Sequence, residues 1–232
     1  MSRNFGAGVS KQTYAETLDI LDEEFAALER TVAAITPEEW AKPTRLRVNA
    51  SHPYWDVFTL VAHINVATNM VQTLINDTAG GTPGMDHTTF FVTDVAQVAP
   101  AVDTFTRNSA KGLAPDALRK TVVATIDEAM KMARATDQAK VGPAFFGPMR
   151  LDELMLTRII ETGVHGLDLS AALDKPSHLT ARARRSCASQ MEELLQHRRE
   201  IARPPDLGDD VAFIEVATGR RAHGDSRFPI LQ

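Results

Sequence analysis

The chain has 232 residues, 44% of them hydrophobic, which suffices for one substantial domain or two small ones and argues against disorder. A formal charge of −5, from 25 basic and 30 acidic residues mixed along the sequence, leaves no polybasic footprint for nucleic acid or an anionic membrane. The single cysteine, Cys187, excludes an internal disulfide and every cysteine-cluster metal site, and it fits a reducing cytoplasm. No apolar h-region opens the chain and no run approaches 18 apolar residues, so the expected location is the cytosol and the expected partners are small molecules.

Helical periodicity dominates from the start. In "KQTYAETLDILDEEFAALERTVAAI" (11–35), Leu18, Leu21, Phe25, Leu28, Val32 and Ile35 recur at steps of three and four, the seam of an amphipathic helix. "TPEEW" (36–40) predicts a short second helix, with Thr36 as N-cap, Pro37 at the first position and Glu39 completing a capping box. An irregular proline-bearing link follows, and then "DVFTLVAHINVATNMVQTLIND" (56–77), apolar around most of its circumference like a helix in the middle of a bundle. Residues 78–90 read as a loop long enough to act as a lid. A helix around 94–111 would carry Pro100 in its first turn if it starts late, and 115–136 is a clearer helix. "GPAFFGPMR" breaks the chain before the last long apolar helix, 151–173. A basic, polar helix over 176–203 and a short one in "DDVAFIEVATG" complete the chain. The reading is all-α: a four-helix bundle over 1–174, with a helical C-terminal extension, 175–232, packed on the same domain.

The sequence lacks a nucleophile elbow, a phosphate-binding P-loop, a dinucleotide glycine fingerprint and the HExxH zinc motif. Histidines and carboxylates remain. His52, His87, His178, His197 and His223 fall in loops or polar helices, where solvated side chains are expected. His63 differs, because its helical neighbours Leu60, Thr59, Val66, Ala67 and Met70 are mostly apolar; it reads as a core histidine or as a metal ligand. In "RIIETGVHGLDL" (158–169), Arg158, Glu161, His165 and Asp168 fall along one stripe of a helix. Glu161 and His165, one turn apart, can share one ion. They also lie nearly opposite the apolar centre at Leu156, Ile160 and Leu167, as a solvated face would, while Leu154, Val164, Leu169 and Ala172 bound the stripe as they would bound a pocket. Pattern alone leaves both readings open.

"TPEEW", then "LVAHI" (60–64), then "RIIETGVHGLDL" resemble, in order and spacing, the metal-binding domain of the mycothiol-dependent maleylpyruvate isomerase family, within the DinB and YfiT-like superfamily of four-helix bundles. The resemblance covers roughly residues 13–173, and "DDVAFIEVATGRR" (209–221) is similar to sequences in the family. It implies a DinB-like bundle in which His63, Glu161 and His165 hold one divalent ion, usually zinc. Two histidines and a carboxylate leave a fourth position open on zinc, and a thiol there loses its proton. The implied cosubstrate is mycothiol, the small thiol of actinobacteria, whose thiolate adds to a small electrophile for isomerisation or S-transfer; a homodimer is also implied. Cys187 then need not react. Asp168 is placed to orient His165, and Arg158 to pair with Glu161 or meet an anionic substrate, although both spacings also fit surface pairs. Arg220 and Arg221 are candidates to bind carboxylates of substrate or thiol.

Two departures limit what carries over. The isomerase has a separate C-terminal domain where this sequence has only the 58 residues from Lys175, so maleylpyruvate itself is not the expected substrate. Phe58 and Thr59 also stand where the family commonly has a polar pair ending in Asp. A zinc hydrolase that activates water, and a metal-stabilised binding module whose fourth position is closed, for instance by His87, stay open as alternatives.

Overall fold

The computed structural model describes residues 12–46, 54–77, 81–91 and 95–231, so His52 lies outside it. Helix α1 (Tyr14–Ala33) starts at a reciprocal capping box: Glu16 N–H donates to Thr13 Oγ1 at 3.2 Å, and Thr13 N–H donates to the Glu16 carboxylate at 2.8 Å. The next segment forms one 3₁₀ turn (Glu39–Ala41) rather than an α-helix. Only half of the expected box is made there, with Thr36 N–H donating to the Glu39 carboxylate, which Lys175 also engages. Buried Trp40 anchors the turn.

Helix α2 (Val57–Asn76) is capped by Asp56, whose side chain accepts from Thr59 N–H at 2.8 Å. By length and composition α2 is apolar enough to cross a bilayer. Here it is the central helix, packed by α4 (Val95–Ser109), α5 (Pro115–Ala135) and α6 (Leu151–Leu173). Helices α1, α2, α5 and α6 close the four-helix bundle, with Leu21, Leu28, Leu60, Leu74, Leu118, Leu154 and Ile159 fully buried. The fold is DinB-like, and among the described residues it is all-α apart from one hairpin.

That hairpin corrects the reading of 142–150 as a mere break. β1 (Val141–Ala144) pairs antiparallel with β2 (Gly147–Arg150), turning through Phe145 and Phe146, with Pro143 opposite Pro148. Prolines read as breakers because they donate nothing to a ladder; here the deficit falls on a single pair of facing residues. Part of the expected loop is ordered as well: Gly84 N–H donates to Pro148 O, and α3 (His87–Phe90) follows, capped by Asp86. Pro100 lies in the interior of α4, not in its first turn, because the helix begins at Val95.

Helix α7 (Ala181–Arg199), capped by Thr180, lies across α6 and α1, and α8 (Asp210–Ala217), capped by Asp209, packs on α7. The last described residues fold back onto α8 through the Ile230 and Leu231 N–H groups, both donating to Ala217 O. Two histidines expected in solvent are enclosed by this packing. His87 is clasped between Glu153 at 2.5 Å and Glu193 at 2.9 Å. His178 sits 3.7 Å from buried Glu24, behind the glycine face of α6, where a Cβ on Gly166 would stand 2.7 Å from its ring. His197 is exposed, and His223 is partly buried against Asp206. Cys187 is fully buried, and burial pushes its thiol well above the ordinary range.

Candidate metal centre

The stripe on α6 faces inward. Arg158 and Asp168 are buried, while half-buried Glu161 and His165 face a solvent-open cavity of about 1000 Å³, which His63 reaches from α2. The helical wheel favoured a solvated face because it registers polarity and not what lies opposite. Here α2, α4 and the end of the chain cover the polar stripe.

His63 Nε2 stands 3.5 Å, and His165 Nε2 3.4 Å, from the same Glu161 oxygen, and the three ligand atoms lie within 4.8 Å of one another. These separations are long for charge-assisted hydrogen bonds, which run about 2.7–2.9 Å. The two histidine–glutamate separations match the edge of a coordination tetrahedron, since bonds of about 2.0–2.2 Å to zinc leave neighbouring ligand atoms about 3.3–3.6 Å apart. The far ring nitrogens are engaged elsewhere. His165 Nδ1 is 3.1 Å from Asp168 Oδ2, and His63 Nδ1 is 3.4 Å from Thr106 Oγ1, leaving both Nε2 atoms to converge. The two imidazoles meet edge to face at 4.8 Å, with Trp55 tilted against His63 at 4.9 Å. Trp55 is itself fixed by an indole N–H bond of 2.7 Å to Asp103.

The charges agree with this arrangement. Burial lowers the pKa of His63 and favours the neutral ring a metal needs, with Glu161 opposing. Burial opposes ionisation of Glu161 too, but His165 and His63 outweigh it and hold the carboxyl well below its usual range. For His165, burial disfavours the charged ring, but Asp168 and Glu161 overcome it and raise its pKa, so here an ion would have to displace a proton from Nε2. Asp168 is the most heavily bonded group. Its Oδ1 accepts from Arg45 Nε at 2.8 Å and Arg220 Nε at 3.1 Å, and its Oδ2 from Arg220 Nη2 at 2.8 Å. Burial alone would raise its pKa; His165 and Arg220 hold it far below.

Arg220 therefore lines the cavity while locked to Asp168, whereas Arg221 is exposed and lies outside the cavity wall. Arg158 is 2% exposed and does not pair with Glu161. Its Nη1 donates to Ala67 O at 2.5 Å, and Nε and Nη2 donate to Thr157 Oγ1 at 3.1 and 2.9 Å. Among the described residues no carboxylate lies within 4.0 Å of it. Sequence reasoning missed Arg45, which bridges Asp168 and Glu215 from the irregular link between α1 and α2. It is 123 residues from Asp168, and no local pattern marks it. It also missed the aromatic cluster of Phe90, Phe91, Phe145 and Phe146, carried by α3 and the hairpin that the loop readings concealed.

A DinB-like bundle with two histidines and a glutamate converging inside a cavity defines the class. The family profile "Mycothiol maleylpyruvate isomerase N-terminal domain" matches residues 21–170, and the chain belongs to that family. Two solved structures share the fold: the mycothiol-dependent maleylpyruvate isomerase (TM-score 0.54) and the same enzyme with one histidine changed to alanine (TM-score 0.53). Each is 18% identical, over 78% of this chain and 70% of the other. Comparison with curated proteins gave no significant match.

Proposed function

We propose that the protein is a metal-dependent enzyme that activates a low-molecular-weight thiol, of the mycothiol type, for addition or transfer to a small electrophile. The observation that carries this reading is the convergence of His63, Glu161 and His165 on one point of a cavity wall, with His165 oriented by Asp168. A divalent ion held by these three groups would retain an open position and lower the pKa of a thiol docked there. The protein's own side chains do the rest. Asp168 keeps the proton on His165 Nδ1 so that Nε2 presents its lone pair, and Arg45 and Arg220 keep Asp168 ionised and still. Trp55 and Thr106 fix the His63 ring, and the apolar walls exclude water that would compete with the thiol. Family membership supports a thiol as cosubstrate.

The alternatives find less support. A hydrolase needs a general base apart from the ligands, and among the described residues lining the cavity Glu161 is the sole carboxylate. A closed site completed by His87 is disfavoured, because that ring is held by Glu153 and Glu193 and does not line the cavity. The test is thiol consumption at pH 7 with mycothiol and an electrophilic substrate, comparing zinc-loaded and metal-stripped protein. Consumption that depends on both metal and protein is expected; a rate equal to that without protein across an electrophile panel would refute the proposal.

A further inference from the structure

The cavity changes character along α6. Toward Asp168 it is bounded by Arg45 and Arg220, the centre holds the His/Glu/His cluster, and one turn before Glu161 stands Arg158, whose guanidinium lies 5.8 Å from the Phe90 ring centroid. Phe90 belongs to an aromatic cluster, 5.0 Å from Phe91 and 5.4 Å from Phe146, with Phe145 4.8 Å from Phe146. Val102 and Phe105 of α4 add further apolar lining to the same cavity. Two residues of this lining are unusually open for large apolar side chains: Phe105 is 59% and Phe145 44% exposed. Side chains of this size exposed at the lining of one cavity mark a surface that a ligand covers.

Arg158 supplies the second half of the argument. A guanidinium remains charged even when burial lowers its pKa, and Arg158 has three hydrogen bonds for five N–H donors, all to neutral oxygens. Glu161 acts on this charge only at a distance, without a bond to it, so the buried guanidinium stays incompletely compensated and an anion entering the cavity relieves that cost. Resting on the thiol reading above, we propose that the electrophile is an amphipathic monoanion, with an aryl-sized apolar body on the phenylalanine wall and a single carboxylate on Arg158. This orientation sets the body beside Phe90 and leaves the atoms next to the carboxylate one helical turn from the His/Glu/His cluster, where the thiol would attack. A small dicarboxylate would leave the phenylalanine wall uncovered.

The test is calorimetric binding to the full chain, without thiol, of three unreactive probes: 2-naphthoate, 2-naphthamide and maleate. Naphthoate should bind about tenfold or more tightly than each of the other two, the affinity ratio of one good ionic contact or one well-covered ring. Replacing the two exposed rings together, Phe105→Ser and Phe145→Ser, should weaken naphthoate about fivefold or more at unchanged melting temperature and leave maleate unaffected. Maleate binding as tightly as naphthoate would overturn the apolar body, and so would indifference to the double substitution. Equal affinity for naphthamide would overturn the carboxylate on Arg158. Naphthoate binding as expected without any thiol turnover would sink the thiol reading and leave the ligand class standing; thiol turnover on small dicarboxylates without naphthoate binding would sink this inference alone.

Discussion

Asp168→Asn is the most informative substitution, because it preserves shape and removes one charge. The carboxylate accepts four hydrogen bonds, two on each oxygen: Arg45 Nε and Arg220 Nε on Oδ1, Arg220 Nη2 and His165 Nδ1 on Oδ2. An amide turned either way sets an NH₂ group against two donors, so two bonds are lost and two donor pairs clash. Each charge-assisted bond contributes about 1.5–3 kcal/mol, and breaking a buried ionic network by removing one partner costs about 3–5 kcal/mol. Urea unfolding at pH 7 should therefore lose about 3–5 kcal/mol. Because His165 loses its orienting acceptor, zinc affinity measured by chelator competition should fall about 10- to 100-fold. A loss below about 1 kcal/mol, or unchanged zinc affinity in a folded variant, would refute the argument that Asp168 holds the site together.

Three further outcomes follow from particular contacts. His87 feels burial, which disfavours its charge, but Glu153 and Glu193 outweigh it and raise its pKa to about 9. A raised histidine stabilises fully below its unfolded value near 6.5 and loses that contribution as pH climbs to about 9, so His87→Gln should cost on the order of 2 kcal/mol at pH 6 and little at pH 9.5 in paired thermal melts; an equal cost at both pH values would contradict the clasp. Glu24 is pushed up to about 7 by burial, which penalises folding increasingly as pH rises from its unfolded value to 7 and fully above that. Glu24→Gln, whose oxygen can still accept from Thr180 N–H, should thus raise stability by about 1–3 kcal/mol at pH 8 and change it little at pH 4, and a destabilised variant at pH 8 would contradict this. Gly142→Ala would place a Cβ 2.1 Å from the Leu74 carbonyl oxygen, so the hairpin must lift from α2, with about 3 kcal/mol lost in thermal unfolding and weaker binding of aryl ligands; an unperturbed melt would show that the hairpin does not seat there.

The long helices were legible because period 3.6 is a local property: Leu18, Leu21, Phe25 and Leu28 announce α1 without any knowledge of its neighbours. The His63, Glu161 and His165 set was legible only through the order and spacing of short motifs, since the wheel of α6 taken alone fits a wet surface equally well. What escaped was long-range. Arg45 reaches Asp168 across 123 residues, and His87 and His178 are enclosed by helices far away in the chain. Paired prolines concealed the hairpin, and with it the aromatic wall that gives the cavity its second character.

The central claim is that His63, Glu161 and His165 hold one ion. It is tested most directly by elemental analysis of untagged protein, for wild type and for Glu161→Ala and His165→Ala after incubation with zinc and desalting. The account predicts about one divalent ion per chain in the wild type, lost in both variants while their helical circular dichroism persists. Wild-type protein that retains no ion, or variants that retain as much as wild type, would contradict it.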